Sequence, residues 1–176
     1  VYVMNNSFEI KICGINDQMS MNTALNIGGN YIVLVFYHKS PRNLSITKAK
    51  LLTKNRTKKS KIVALTVNPD DIFLQEIKKF IKPDYIQLHG EESPKRCENI
   101  RDKFNIPLIK GIGIKKNKDL KRHIKTYAEI CDILILDAPS EELPGGNGKK
   151  FDWKILKNYK SQKKWMLAGG LNINNI

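Results

Sequence analysis

Three side chains able to move a proton or hold a charged ligand close apolar runs: Cys13 in Lys-Ile-Cys-Gly at 11–14, His89 in Gln-Leu-His-Gly at 87–90, and Asp137 in Leu-Asp-Ala at 136–138. Glycine strings follow the same logic, Gly-Gly-Asn-Gly-Lys at 145–149 and Ala-Gly-Gly-Leu-Asn at 168–172. A carboxylate that ends the run Ile133-Leu134-Ile135-Leu136 is costly unless it is hydrogen-bonded or used. A thiol is a poor base near neutral pH unless its thiolate is stabilised. Lys11, on the same face of an extended segment as Cys13, is one source of positive potential. Arg42, in Lys-Ser-Pro-Arg at 39–42, suits bidentate binding of a planar carboxylate. Gln87 and His89 share a face, where His89 is either a substrate contact or a hydrogen-bonded core histidine. Gly146 stands in a loop after Asp137 that could close over a substrate.

These residue types fit more than one function. Proton transfer on a small anionic substrate uses Cys13 and Asp137 together. A metal-dependent hydrolase would use Cys13, His89 and Asp137 as ligands, but they lack the closely paired spacing of known zinc sites. A non-catalytic fold that binds phosphorylated ligands would need only the glycines.

Whatever the chemistry, the frame has to bring strand ends together. Strands are expected over 9–15, 31–37, 61–67, 85–89, 108–112, 132–137 and 164–168, and helices over 17–27, 47–52, 70–81, 94–104, 117–130 and 152–159. Strands rich in Ile, Leu and Val, each followed by a helix, imply a parallel sheet covered by helices. Polar and glycine residues at successive downstream strand ends are what a parallel α/β barrel gathers on one face. A doubly wound open sheet has the same cadence, yet Cys13-Gly14-Ile15-Asn16 is not its glycine-rich phosphate turn. No linker or repeat divides the chain, so 1–176 reads as a single domain.

In order and content these strings resemble phosphoribosylanthranilate isomerase, a family of tryptophan biosynthesis, over nearly the whole chain. The resemblance implies a (β/α)8 TIM barrel. It also implies the Amadori rearrangement of N-(5-phosphoribosyl)anthranilate to 1-(2-carboxyphenylamino)-1-deoxyribulose 5-phosphate by general acid–base catalysis. On that reading Cys13 is the base, Asp137 the acid, and Arg42 the ligand of the anthranilate carboxylate. Gln87, His89 and Gly146 contact the substrate, and backbone N–H groups at Gly169 and Gly170 help hold the phosphate. No metal or other cofactor is implied. Two positions depart from the family pattern: Val33 stands where glycine is frequent, and Ala168 where serine is common. The chain stops where the seventh helix should begin, so the last βα unit is expected to be absent from 1–176.

The net charge of +14 comes from 31 Lys and Arg against 17 Asp and Glu, mostly as scattered lysine. The densest stretch, 54–61, has no interleaved aromatics to stack on bases and reads as a solvated loop, so no nucleic-acid partner is expected. The positive field would instead attract a substrate carrying a phosphate and a carboxylate. Cys13, Cys97 and Cys131 form no CxxC pair, which fits a reducing cytoplasm, and no apolar run approaches the roughly 18 residues needed to cross a membrane. The expected partner is a small phosphorylated substrate, with the chain a monomer or homodimer.

Overall fold

All seven expected strands form, and each lies beside its neighbour in sequence. The computed structural model describes residues 8–54, 56, 59–139, 150–157, 159, 161 and 163–175. The strands are β1 (Lys11–Cys13), β2 (Tyr31–Phe36), β3 (Lys61–Thr66), β4 (Tyr85–Leu88), β5 (Leu108–Gly113), β6 (Ile133–Asp137) and β7 (Lys164–Leu167). They pair in parallel in the order β1 to β7, with α1 (Gln18–Asn26), α2 (Ile46–Thr53), α3 (Asp71–Phe80), α4 (Pro94–Phe104) and α5 (Asn117–Tyr127) as successive crossovers. Each element runs strand up, helix back, so all downstream strand ends open on one side.

Alternation along the strands sorts the core into two layers. Tyr31, Val33, Val35, Val63, Leu65, Ile109, Ile133 and Ile135 form the inner cluster on the concave side of the sheet. Their sequence neighbours Ile32, Leu34, Ile62, Leu108, Leu134 and Leu136 pack outward against the helices. Because the side-chain period is two, a residue's parity fixes its layer. Lys11, Cys13, Gln87, His89 and Asp137 all fall on the inner parity. In the outer layer Phe104 is 1% exposed. Phe104→Ala is expected to lower the unfolding free energy by about 3–5 kcal/mol, measured by urea denaturation.

Capping residues fix where the helices begin. Asp17, Ser45, Asp70 and Ser93 each accept a backbone N–H of the first turn, from Ser20, Lys48, Phe73 and Arg96. Pro94 opens α4 with its φ already set, and Asn105 closes it in the left-handed conformation at φ 49°.

Three expected elements come out shorter by more than a residue at either end. Strand 9–15 pairs only over Lys11–Cys13, because Gly14 turns to φ 87° and the amides of Gly14 and Ile15 both bond to the Val33 carbonyl. Helix 117–130 ends at Tyr127, whose carbonyl takes the amides of both Ile130 and Cys131 as the chain turns into β6. Segment 152–159 forms only a 3₁₀ turn over Trp153–Leu156, with bonds such as Lys157 N to Lys154 O that close after three residues. At the upstream end of the sheet Lys164 pairs with Glu9 and donates to the Tyr31 hydroxyl at 2.7 Å, linking β7 to the entry of β1.

Candidate active site

Asp137 ends β6 with its side chain 14% exposed and its Oδ1 accepting the Ala138 amide at 2.7 Å. Burial pushes its carboxyl above the ordinary value, and this outweighs the Ala138 bond and the positive charge of Lys11, which both act to lower it. Facing it is His89, whose Nε2 lies 3.6 Å from Asp137 Oδ2. That separation is longer than a hydrogen bond. Burial, with Lys11 and Lys110 adding positive charge, lowers the His89 imidazole to about 4, so it stays neutral at physiological pH and forms no ion pair with Asp137.

The other ring nitrogen, Nδ1, meets Gln87 Nε2 at 3.1 Å. With the amide donating, the ring proton sits on Nε2, towards Asp137. Gln87 is 1% exposed, and its Oε1 is buried without a hydrogen-bond partner among the described residues. The ring occupies space left by Gly111 on β5, where an added Cβ would strike the His89 imidazole. Sequence reasoning passed over Gly111. Its signal was a glycine of inner parity inside Leu-Ile-Lys-Gly-Ile-Gly, opposite a histidine that needs room.

A group whose folded pKa is depressed stabilises the fold above its unfolded pKa and loses that contribution as pH falls. For His89 the window runs from 6.5 down to about 4. The protein is therefore expected to lose about 3 kcal/mol of stability through this ring on acidification across that window. Urea titrations of His89→Gln at both ends of the range should show that loss removed.

Cys13 is an exposed, free thiol at the end of β1, on the same inner parity as Asp137. Gly14 beside it is needed for two reasons. Its φ of 87° favours glycine, and a Cβ there would collide with the Arg42 side chain. Arg42 therefore lies over the backbone of Gly14, the residue after Cys13. Its loop after β2 is held by the Arg42 amide on Ser40 Oγ at 3.2 Å and by the Leu44 amide on the Val35 carbonyl at 2.9 Å. Gly169 and Gly170 both adopt positive φ, 82° and 69°, in the turn after β7. Gly146 lies outside the described residues. The fold thus puts Cys13, Arg42, Gln87, His89, Asp137, Gly169 and Gly170 at the downstream strand ends, with His89, Gln87 and Asp137 forming one cluster and Arg42 packed over Gly14 beside Cys13 in sequence.

A parallel, helix-covered sheet with a buried carboxyl, a thiol and an arginine on its downstream face defines an enzyme of the α/β-barrel class equipped for acid–base work. Residues 10–176 match the family described as N-(5'-phosphoribosyl)anthranilate (PRA) isomerase. The chain belongs to that family. It is 39% identical over 171 residues to N-(5'-phosphoribosyl)anthranilate isomerase of Rhizobium rhizogenes, covering 96% of this chain and 77% of that protein. To the enzyme of Rhizobium meliloti it is 38% identical, covering 96% and 79%. The crystal structure of phosphoribosyl anthranilate isomerase from Thermotoga maritima superposes with a TM-score of 0.85 at 27% identity, over 97% of this chain and 80% of that one. A structure of such an isomerase in complex with reduced 1-(o-carboxyphenylamino)-1-deoxyribulose 5-phosphate superposes at 0.81 with 26% identity, over 96% and 79%. Among the described residues no helix is long and apolar enough to cross a membrane.

Proposed function

We propose that the protein converts N-(5-phosphoribosyl)anthranilate to 1-(2-carboxyphenylamino)-1-deoxyribulose 5-phosphate, with Asp137 as general acid and Cys13 as general base. The observation that carries the assignment is the buried carboxyl of Asp137, raised above its ordinary pKa and set beside a neutral imidazole, on the inner face it shares with Cys13.

Asp137 gives its proton to the furanose ring oxygen. The bond from that oxygen to C1′ breaks, and the anthranilate nitrogen lone pair moves in to form a protonated imine. Cys13, as thiolate, then takes the proton from C2′. The C–H electron pair becomes the C1′–C2′ double bond, and the imine electrons return to nitrogen. The resulting enolamine gains a proton at C1′ as its C2′ hydroxyl becomes the ketone. The C1′ proton comes from, and the C2′ hydroxyl proton returns to, Cys13, Asp137 or solvent, which restores the thiolate and the carboxylic acid with no net oxidation or reduction.

A raised acid pKa suits the first step, because the group stays protonated nearer neutral pH. Lys11, whose positive charge reaches both Asp137 and His89, sits two residues from Cys13 on the same strand face. Arg42 takes the anthranilate carboxylate, Gln87 and His89 contact the sugar portion, and the positive-φ amides of Gly169 and Gly170 receive the phosphate. Gly146 belongs to the same set by resemblance. The protein acts as a monomer or homodimer; one Thermotoga structure is described as monomers generated from a dimeric isomerase.

Product analysis tests the reaction. Carbon NMR of the reaction mixture should show the sugar C2′ converted from a secondary alcohol to a ketone, at a rate unchanged by a chelator. An unaltered substrate spectrum after incubation with folded protein, or a rate abolished by chelation, would refute the scheme. Arg42→Ala should raise KM and leave kcat nearly unchanged, because its carboxylate contact is the same in ground and transition states. Steady-state kinetics check this directly.

A further inference from the structure

Lys110 lies on the face of β5 that turns towards the helices, between the core residues Leu108 and Ile112. It is only 3% exposed. An ammonium taken out of water needs a partner for each of its three donors. Lys110 finds them in the Leu88 carbonyl at 3.4 Å, the Gly90 carbonyl at 2.7 Å and Glu92 Oε2 at 2.9 Å. Leu88 and Gly90 are the residues on either side of His89.

Glu92, also 3% exposed, turns its remaining capacity to backbone amides. Oε1 accepts from Asn68 N at 2.8 Å, and Oε2 from Gly90 N at 3.0 Å. Asn68 Oδ1 in turn accepts the Glu91 amide at 2.9 Å, which ties the corner after β3 to the corner after β4. The Tyr127 ring lies 5.7 Å from the ammonium and covers it. Every one of these bonds bears on the corner that carries His89 or on its tie to the β3 corner. A buried ion pair is weak grounds for stability, because well-packed apolar residues serve equally well. What this pair supplies is a fixed place for the backbone.

We propose that the Lys110–Glu92 ion pair is a positioning device for the His89 imidazole. It clamps the peptide units before and after His89, so that the ring enters the space at Gly111 and faces Asp137. Lys110 and Gly111 are adjacent on β5, so one dipeptide supplies the clamp on the outer face and the room on the inner face. The pair acts through His89 and touches no substrate. Its effect on turnover rests on the proposed roles of His89 and Asp137.

The test uses the double variant Lys110→Met/Glu92→Gln. Lys110→Met alone strands a buried carboxylate, whereas the double variant removes both charges and keeps an acceptor for the amides. It should fold with a thermal midpoint near that of the parent, yet lose kcat about 10- to 100-fold with KM little changed, as expected when a site group is misplaced by about an ångström. A second readout needs no turnover. Ring-nitrogen NMR of the ligand-free parent should show His89 as one neutral tautomer with sharp resonances, and the double variant should show them averaged or broadened. If the parent proves inactive but the ring signature changes as stated, the reaction assignment fails and the clamp stands. If the ring resonances and kcat both match the parent in a folded double variant, the clamp is refuted. Should that variant not fold, Lys110→Gln/Glu92→Gln, which also removes both charges and keeps a donor for the carbonyls, carries the same two readouts, with the same result expected and the same result overturning the proposal.

Discussion

Asp137→Asn is expected to lower kcat by about 10²–10⁴-fold, the range that positioned proton transfer contributes. The amide keeps the shape of the side chain and can still accept from the Ala138 amide, so binding and fold are retained while the transferable proton is lost. The same substitution should make the protein more stable near neutral pH. Burial raises the Asp137 carboxyl above its ordinary 3.8, so the folded state holds a proton that the unfolded chain has released. Stability therefore falls as pH climbs from 3.8 through the raised value, and it stays reduced above. Asparagine carries no such penalty. Urea titrations should find the variant more stable than the parent at neutral pH and equal to it below 3.8, while steady-state kinetics show the loss of turnover. A stable variant with the parent's kcat would remove Asp137 from the role of acid.

Cys13→Ser is the second large effect, again about 10²–10⁴-fold in kcat. The hydroxyl is nearly the size of the thiol but far less acidic, so serine is the poorer proton acceptor at C2′. Because Cys13 acts at C2′ alone, the loss should appear as a larger primary isotope effect with substrate deuterated at C2′. Rate ratios for protonated and deuterated substrate measure this in the variant and the parent. An isotope effect that stays the same while the rate falls would move the defect to another step.

Parity made much of the site legible. Lys11, Cys13, Gln87 and His89 could be placed on the inner face from alternation, because apolar neighbours of the opposite parity had to meet helices, and Asp137 could be placed at a downstream strand end. The βα cadence gave a parallel, helix-covered sheet, and the resemblance to a barrel family gave the sequential strand order. What the sequence did not disclose was contact made between distant elements. Arg42 is pinned against Gly14 only once β1 and β2 are adjacent, and the need for glycine at 111 appears only when the His89 ring is seen over β5.

Lys110 is the clearest case. Parity places this lysine towards the helix layer but does not name its partners; it is buried there by Tyr127 and by a glutamate from the preceding corner. Segment 152–159 failed differently: Asp152 caps the element that starts there, but the bonds after it close at three residues and stop. The loop that carries Gly146 lies outside the described residues.

The central claim is that one downstream face isomerises an anthranilate-bearing phosphoribose with Asp137 as acid and Cys13 as base. The most direct measurement follows anthranilate fluorescence at saturating N-(5-phosphoribosyl)anthranilate for the parent, Asp137→Asn and Cys13→Ser side by side, with folding of each checked by circular dichroism. The account predicts steady conversion by the parent and conversion reduced by about 10²-fold or more in each folded variant. A folded parent that leaves the substrate unchanged, or a folded variant that converts it at the parent's rate, would contradict it.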